Sequence, residues 1–334
     1  MPARGWAEIG PKTGALLIYI AMSRNIFWRV MGLQNFFDLL PWCVLGLALD
    51  ALLGEPTRWH PLVGFGRAAA GLEQRANGGT PWRRRLLGAA AWLLLIAPLV
   101  GVAALLQSWL GVWVAAPLLY LALGGRSLIE HGQAVAQAFT ASGLESAQER
   151  VGYMVSRDVT EMSEAQVIRA TLESLLENGA DAIFGALFWT LLLGAPGAVL
   201  YRLANTLDAM WGYRSARFAA FGWAAARADD ALNLIPARLT ALTYALCGDL
   251  RAGLRAWREN RNGKSPNSGV VMAAGAGALG LRLGGLTRYG DAVVNTPAMG
   301  HGRAPQWGDI PRAAALLRRG MALWGVVISL AWLA

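Results

Sequence analysis

Long apolar runs separated by short basic segments dominate the chain. Residues 36–53 form one run, broken by Pro41, and residues 86–106 form a second without a charged side chain. A helix of about 20 apolar residues crosses the hydrocarbon core of a bilayer. A third run covers residues 109–123, so the second and third runs predict a helical hairpin across the membrane. The pattern predicts an all-α, polytopic membrane protein.

Arginines set the predicted orientation of these helices. Arg83, Arg84 and Arg85 precede the hairpin and Arg126 follows it. Because basic residues favour the cytoplasmic side, we expect both ends of the hairpin there. Residues 124–182 should then form a mainly helical cytoplasmic segment.

Residues 183–201 form an apolar run interrupted by Gly194, Pro196 and Gly197. Each half is about half a membrane long, and a full crossing would leave the arginines that follow on the wrong side. We therefore predict a re-entrant hairpin, whose non-helical turn must be covered by protein or by a water-filled cavity. Such a hairpin would return Asn205, Asp208 and Tyr213 to the face that carries the acidic residues Glu173 and Glu177.

The ends of the chain are less regular. Residues 1–35 form an N-terminal extension of unclear role, and residues 36–334 are expected to form a single membrane domain. Residues 251–261 have the basic amphipathic pattern of a helix lying on anionic lipid. The Gly- and Ala-rich residues 270–285 favour close helix packing. Residues 286–317 are predicted to be polar and proline-broken, and the last run, 321–334, is just short of a normal span.

The composition agrees with a membrane protein. Hydrophobic residues make up 55% of the chain and charged residues 15%, against roughly 25% charged in soluble domains. The net charge is +9, but the arginines lie in loops between apolar runs, so the sequence predicts no nucleic-acid partner. The two cysteines have no CxxC spacing, which argues against a disulfide framework or a structural zinc site.

Acidic residues recur on one predicted helix. Ser163 and Gln166 form a capping box that predicts a helix beginning at Glu164. In that helix Glu173, Glu177 and Asp181 stand at i, i+4 and i+8, so their like charges share one face. A cation should meet them: Arg169, a magnesium ion, or both. Magnesium takes one or two carboxylates together with phosphate oxygens and water. A solvated acidic face remains the alternative.

Further polar groups surround this helix in sequence. Arg157 offers a phosphate donor beside Asp158, and Arg227, Asp230 and Asn233 share one side of a second predicted helix. Paired acids flanked by arginines suit phosphate binding bridged by a cation, or equally a buried ion network with no ligand.

Two other short motifs carry weaker signals. The motif GxxxxGK[ST] needs glycine at position 258, where this chain has Arg258, so the Gly263-Lys264-Ser265 triplet is no P-loop. Lys264 and the loop amides could still contact an anion. Asp50 and Glu55, at the end of the first run, predict two carboxylates at one membrane face or a plain helix terminus.

Together these blocks resemble the adenosylcobinamide-phosphate synthase family of cobalamin biosynthesis, CobD/CbiB. The resemblance runs in family order over roughly residues 38–290. The blocks include Asp50…Gly54-Glu55-Pro56…His60-Pro61, Ser156-Arg157-Asp158, Arg169-Ala-Thr171-Leu-Glu173-Ser174…Glu177-Asn178…Asp181, Leu187-Phe188-Trp189, Pro196-Gly197, Asn205-Thr206-Leu207-Asp208…Gly212-Tyr213, Ala226-Arg227…Asp229-Asp230…Asn233…Pro236-Ala237-Arg238 and Ser265-Pro266-Asn267-Ser268-Gly269. Val270-Val271-Met272 departs from the family's Trp-Pro-Glu-like continuation, and the N-terminal extension lies outside the resemblance.

The resemblance implies a multi-pass inner-membrane enzyme that depends on ATP and magnesium. It would join the propionate carboxyl of adenosylcobyric acid, an adenosylcorrinoid, to (R)-1-amino-2-propanol or to its O-phosphate. An amide does not form from a carboxylate and an amine in water without activation, which ATP supplies as an acyl phosphate. Other late enzymes of the pathway are possible partners.

Residue chemistry suggests roles at the matching positions. Metal and amine are assigned to Glu173, Glu177 and Asp181, and phosphate groups to Arg157, Arg227 and Arg238, with Lys264 and Asn267 in the neighbouring loop. A second metal or the aminopropanol end is assigned to Asp208, Asp229 and Asp230, and substrate orientation to Asn178, Asn205 and Asn233. Among these, the catalytic candidates are Glu173, Glu177, Asp208 and Asp230, and the metal candidates are Glu173, Glu177, Asp181 and Asp229.

Two other functions remain open from the sequence, a transporter and an assembly factor for corrinoid intermediates. Transporters place ionisable groups in broken mid-membrane helices and often have internal repeats. Trp189, Trp211 and Trp223 could pack on a corrin ring or serve as interfacial belt residues.

Overall fold

The computed structural model describes residues 36–56, 60–156, 158–260, 266–289 and 292–333, so the predictions on residues 1–35, Arg157 and Lys264 lie outside it. These ranges form fourteen α-helices and one two-stranded sheet. The elements are α1 Phe36–Leu53, α2 Pro61–Ala76, α3 Pro81–Leu110, α4 Ala115–Ala122, α5 Gly125–Ser142, α6 Leu144–Gly152, α7 Glu164–Gly179, α8 Gly185–Leu193, α9 Ala195–Trp211, α10 Trp223–Leu232, α11 Leu234–Cys247, α12 Leu250–Glu259, α13 Ser268–Leu279, β1 Leu283–Tyr289, β2 Ala292–Met299 and α14 Asp309–Leu333.

Five helical segments are long and apolar enough to cross a membrane, which confirms the prediction of an all-α polytopic protein. They are Phe36–Leu53, Pro81–Leu110, Val112–Ser142, Glu164–Leu193 and Asp309–Leu333. Pro41 lies inside α1 without breaking it. Residues 124–182 are mainly helical as predicted, but parts of two candidate spans fall within them. Their cytoplasmic location stays a prediction.

Residues 164–193 form one long helical rod. The predicted capping box of Ser163 and Gln166 is present, and α7 begins at Glu164 as expected. One wide π-helical turn, Ala180–Phe184, joins α7 to α8 without ending the rod. The first arm of the predicted short hairpin is therefore the end of a 30-residue helix. The prediction of two half-length arms was wrong because the polar first half of the rod masked its continuity.

The turn predicted at residues 194–197 is present. Gly194 adopts φ +71°, and α9 runs back from it against α8 and α3. Gln107 reaches this turn from α3, because its Oε1 accepts a hydrogen bond from the Ala195 N–H at 2.7 Å. A side chain at Gly194 would clash with the Gln107 amide. The polar residue that interrupts the second apolar run thus satisfies the first backbone donor of α9.

Four apolar clusters hold the described helices together. The largest is built mainly on α1, α4, α5, α7, α8, α13 and α14, and the second joins α2, α3 and α9. The Gly- and Ala-rich α13 packs closely against α12 as predicted, since a Cβ at Gly277 would lie 2.6 Å from the Ala252 carbonyl oxygen. Residues 250–259 form the predicted helix α12. Its contact with lipid stays a prediction.

The C-terminal region differs from the prediction in two ways. Strands β1 and β2 pair as an antiparallel hairpin within the segment predicted to be irregular. The last helix begins at Asp309, well before the predicted start of the apolar run. Asp309 accepts hydrogen bonds from Gln306 N, Arg303 and Arg312, which satisfies its charge and fixes the start of α14. Pro311 is the third residue of α14, within the first turn, where a backbone N–H would have no partner inside the helix.

Candidate active site

A polar cavity of about 580 Å³ opens between α7, the end of α9, α13 and the β-hairpin. Four carboxylates line it: Glu173, Glu177 and Asp181 from the rod, and Asp208 from α9. The predicted return of Asp208 to the acidic face is therefore confirmed. No arginine or lysine belongs to the cavity lining that the structure describes. The described wall of the cavity is strongly anionic, and a cationic ligand suits it.

The β-hairpin fixes Glu173 from outside the cavity. Gly284 N–H donates to Glu173 Oε1 at 3.0 Å, and the Gly284 carbonyl accepts from Arg169 Nη1 at 2.7 Å. Arg169 Nε lies 4.0 Å from the same carboxylate oxygen. Gly284 and Gly285 have φ of +85° and +103°, and the register shifts between Leu283 and Gly285. This glycine bulge lets the backbone grip the Arg169–Glu173 pair.

Deeper in the fold, two asparagine side chains form hydrogen bonds with the acidic residues. Asn205 Nδ2 lies 3.3 Å from Asp229 Oδ1, and Asn205 also hydrogen-bonds to Asp181. Asn233 Nδ2 donates to Asp229 Oδ2 at 3.0 Å, while its own Oδ1 accepts from the buried Tyr201 hydroxyl at 2.7 Å. Since the Tyr201 hydroxyl donates to Asn233 Oδ1, the amide nitrogen of Asn233 must face Asp229. Of the asparagines predicted to orient substrate, Asn205 and Asn233 contact carboxylates, whereas Asn178 lines the cavity and donates to the Ser174 carbonyl and hydroxyl.

The pKa of Asp208 reflects its burial among these acids. Burial raises the pKa of Asp208 to about 7, and the nearby charges of Asp229, Asp230 and Glu177 add to the shift. Burial also raises the pKa of Asp229, and its hydrogen bonds from Asn233 and Asn205 partly oppose that change. Asp208 can therefore exchange a proton near neutral pH.

The predicted phosphate-binding arginines lie beside the cavity. Arg227 is mostly exposed, and its Nη1 lies 3.8 Å from Asp230 Oδ2. Arg238 Nη1 donates to Asn267 Oδ1 at 2.7 Å, and Asn267 Nδ2 donates to the Asp230 carbonyl at 2.7 Å. Asp230 is therefore tied to this edge cluster, although Ser268, next to Asn267, lines the cavity. The structure brings Arg227, Asp230, Arg238 and Asn267 together, but none of the four lines the cavity.

A protein-family model described as "CobD/Cbib protein" matches residues 43–317, a range that includes every described residue of the cavity wall. The chain belongs to the CobD/CbiB family. This confirms the resemblance found in the sequence.

Relatives of the family cover most of the chain. A cobalamin biosynthesis protein CobD of Chromobacterium violaceum is 56% identical over 296 residues, which cover 85% of this chain and 93% of that protein. The CobD protein of Stutzerimonas stutzeri is 55% identical, covering 84% of this chain and 94% of its own length. That of Mycobacterium tuberculosis is 41% identical, covering 82% and 90%. No solved structure matches the chain.

The fit of this site to magnesium follows from its donors. Within the described ranges, no three His, Cys, Asp or Glu side chains are placed to hold a metal ion by themselves. Glu177, Asp181 and Asp208 nevertheless present carboxylates to one cavity. Magnesium usually takes one or two protein carboxylates and fills its other positions with phosphate oxygens and water. The cavity suits an ion bound in that way.

Of the three tryptophans considered for corrin packing, none lines the cavity. Trp211 is 1% exposed and packs edge-on against Phe221 at 5.0 Å, so it is a core residue. Trp189 donates through Nε1 to the Leu232 carbonyl at 2.9 Å. Trp223 is exposed. The suggestion that Trp211 stacks on a ligand was wrong, because the fold covers both of its faces.

Sequence reasoning missed Gly284 and Tyr201. A signal for the first was present, because residues 283–299 carry a Gly-Gly pair and then two short stretches around a Gly-Asp turn, which is a hairpin pattern. No pattern in the sequence pairs Tyr201 with Asn233, since their contact depends on how α9 meets the α10–α11 junction.

Proposed function

We propose that this protein acts in cobalamin biosynthesis as an amide-forming ligase. It joins adenosylcobyric acid to (R)-1-amino-2-propanol or its O-phosphate, with ATP and magnesium, at the cell inner membrane. The observation that carries the proposal is the acidic cavity, which four carboxylates line and whose described lining contains no arginine or lysine. An ammonium group and a hydrated magnesium ion are the two cations of this reaction, and both suit such a wall.

Each acidic residue of the cavity has a separate proposed role in the reaction. Glu177 and Asp181 would hold the magnesium ion, which supplies charge neutralisation for the phosphates of ATP. Asp208 has a pKa of about 7, so it is suited to accept the proton that the attacking ammonium must lose. Glu173 is fixed by Gly284 and orients the amine end.

We assign the contacts with phosphate groups to residues at the edge of the cavity. Arg227 and Arg238 lie there with Asp230 and Asn267, beside the loop that leads to the cavity-lining Ser268. The cavity of about 580 Å³ lies within the usual range for small-molecule sites, roughly 300–1,000 Å³. It would hold the reacting ends, while the corrin ring stays at the mouth near the exposed Tyr213. We place this mouth on the cytoplasmic side.

The test uses the full chain purified in a mild detergent. Adenosylcobyric acid, magnesium, ATP and either (R)-1-amino-2-propanol or its phosphate are added, and the corrinoid mass is followed. We expect a gain equal to the amine minus water that requires ATP, and the faster of the two amines identifies the acceptor. A monodisperse protein that retains the corrinoid but leaves its mass unchanged with both amines would contradict the ligase and favour a carrier.

A further inference from the structure

A second cavity, which we call the slot, lies away from the acidic site. Its volume is about 240 Å³, and its wall comes from α2, α3, α4 and α9. All but two of its side chains are apolar, and the two exceptions are His60 and Arg202. Leu99 and Val102 line it and are also 43% and 52% exposed on the outer surface of α3. The slot therefore adjoins the apolar flank of a candidate membrane span.

His60 presents a hydrogen-bond donor to this slot. Its Nδ1 accepts a hydrogen bond from Leu62 N–H at 3.2 Å and so caps α2. In the neutral ring the proton must then sit on Nε2. The side chain is 8% exposed, and Nε2 is buried without a hydrogen-bond partner in the described structure. The nearest acid, Glu55, is 3.7 Å from Nε2, which is too far for a hydrogen bond.

Arg202 presents a second donor and a full charge. Its Nε is buried without a partner, and across the described residues the guanidinium makes no ion pair within 4.0 Å. Glu55 and Asp181 are close enough to act on it electrostatically but do not contact it. A buried charge without a partner is costly, and charged groups between apolar helices usually face a ligand or a counter-ion. Together, His60 and Arg202 leave two buried donors at one apolar cavity.

We propose that the slot binds an anionic membrane phospholipid. The acidic phosphate accepts hydrogen bonds from Arg202 and His60, and a segment of one acyl chain lies between α3, α4 and α9. A volume of about 240 Å³ is below the usual range of sites for whole small molecules, so it suits part of a chain rather than a corrinoid. The exposed Leu99 and Val102 mark an entrance from the bilayer rather than from water. This binding does not depend on the reaction proposed above.

The experiment uses the delipidated full chain in a neutral maltoside detergent. Binding of dioleoyl phosphatidylglycerol is measured by native mass spectrometry and by the rise in Tm, with dioleoyl phosphatidylcholine and inorganic phosphate as the other two probes. We expect phosphatidylglycerol to bind at least about tenfold more tightly than phosphatidylcholine, because both phosphates accept hydrogen bonds but the choline ammonium cancels the net negative charge that attracts Arg202. Inorganic phosphate, which has no chain, should give no rise in Tm.

Three variants decide between a ligand site and a structural arginine. Arg202→Met should lose the preference for phosphatidylglycerol and, without lipid, should melt at the same temperature as the wild type or higher, because an unpaired buried charge is gone. Ala103→Leu fills the slot and should weaken both lipids. Arg67→Met removes an exposed charge from α2 and should leave the preference unchanged.

Three results would overturn the proposal. The first is an unchanged lipid preference in Arg202→Met, and the second is a Tm rise with inorganic phosphate equal to that with phosphatidylglycerol. The third is a large loss of stability of Arg202→Met without lipid, which would show an internal ion pair with Glu55 instead of a lipid site.

Discussion

Two groups of buried carboxylates in this protein differ in what faces them. Asp309 is fully buried and receives both Nη atoms of Arg303 at 2.7 Å, with Arg312 at 2.6 Å. Glu73 receives Nε and Nη2 of Arg217 at 3.0 and 2.6 Å. In the cavity, Glu173 receives the Gly284 N–H and lies 4.0 Å from Arg169 Nε, and Asp181 is held by the Asn205 amide. Asp309 and Glu73 are thus paired closely with arginines, whereas the cavity acids are crowded against one another, an arrangement that suits a cationic ligand.

The electrostatics follow the same division. Hydrogen bonds from Arg217 hold the pKa of Glu73 below its usual value. Burial among other acids raises the pKa of Asp208 to about 7. A lowered pKa means that the fold favours the carboxylate, and a raised one means that the fold disfavours it. Removing an acid that is paired with arginine and removing an acid of the cavity should therefore change the stability of the protein in opposite directions.

The largest effect is expected at Asp309. Asp309→Ala leaves Arg303 and Arg312 without their shared acceptor at the start of α14, and breaking a buried pair costs roughly 3–5 kcal/mol. Thermal unfolding in detergent, followed by circular dichroism, measures the loss. Asp249→Ala is the control, since Asp249 only caps α12 through Ala252 N–H and its loss should cost about 1 kcal/mol. Equal losses in the two variants would contradict the structural role of Asp309.

Glu177→Gln should have the opposite profile. Amide formation should fall about 10²- to 10³-fold, the scale of removing one preorganised charge interaction from a transition state. Stability should hold or rise, because one like charge beside Asp181 and Asp208 is removed. The corrinoid mass assay and the melting temperature give the two readouts, and the exposed Glu145→Gln is the matched control. A fully active Glu177→Gln protein would remove this residue from the site.

Variants of Glu173, which lines the cavity, and of Asp230, which lies at its edge, compare the two locations. From the sequence alone, both acids are catalytic candidates, so Glu173→Gln and Asp230→Asn would each be expected to abolish product in a folded protein. The structure keeps that expectation for Glu173, which lines the cavity. Asp230 faces Arg227 at the edge, so we expect Asp230→Asn to lose only about tenfold, roughly the 1.4 kcal/mol of one weakened contact. Equal loss in both variants would put Asp230 in contact with the reacting groups.

The pH dependence of stability sharpens the comparison. Asp208 has a folded pKa of about 7 against an ordinary value of 3.8, so the folded state binds the extra proton between these values. The free energy of unfolding should therefore fall as the pH rises through this window in the absence of metal, by at most about 1.4 kcal/mol per unit. Glu73 has a lowered pKa, and its stabilisation is lost only as the pH falls below about 4.5.

Melting temperatures between about pH 5 and pH 8 test this dependence. Asp208→Asn should flatten the curve, and magnesium should raise the melting temperature mainly at the alkaline end, where the carboxylate is charged. A wild-type curve that rises towards pH 8 without metal would show that Asp208 is stabilised as an anion.

A smaller structural effect than at Asp309 is expected at the glycine bulge. Gly284→Ala places a methyl group at φ +85° against the Pro297 carbonyl, so the backbone must shift away from Glu173. We expect a loss of about 1–3 kcal/mol in stability and a lower activity. Gly71→Ala is the control, because Gly71 is in the middle of α2 with nothing within 4 Å. That change should be neutral or slightly stabilising.

The sequence was sufficient for the membrane class, the family and most of the acidic site. Helical spacing alone placed Glu173, Glu177 and Asp181 on one face, and the turn at Gly194 brought Asp208 back to them. These features depend on local periodicity and on one turn, which are written in short stretches of sequence.

The parts that were missed depend on distant contacts. The β-hairpin acts on Glu173 across more than a hundred residues, and Tyr201 reaches Asn233 between separate helices. The early start of α14 depends on Arg303 and Arg312 meeting Asp309, which no hydropathy pattern reveals. Arg227 and Arg238 were matched to phosphate by chemistry alone, and the fold placed them at the edge of the cavity instead of its wall.

The wide turn at Ala180–Phe184 has a consequence for insertions and deletions in this chain. A π-helical turn holds one more residue than an α-helical turn, so deleting one residue here would restore a regular helix. The half of the rod beyond the turn would then rotate by about 100° relative to the acidic half. Trp189 would swing away from the Leu232 carbonyl, and Gly185 would no longer give room to the Tyr201 hydroxyl. The length of this one turn thus sets how α8 is rotated relative to the acid-bearing α7. An insertion or deletion within the turn would change the contacts of α8 with α9 and α10.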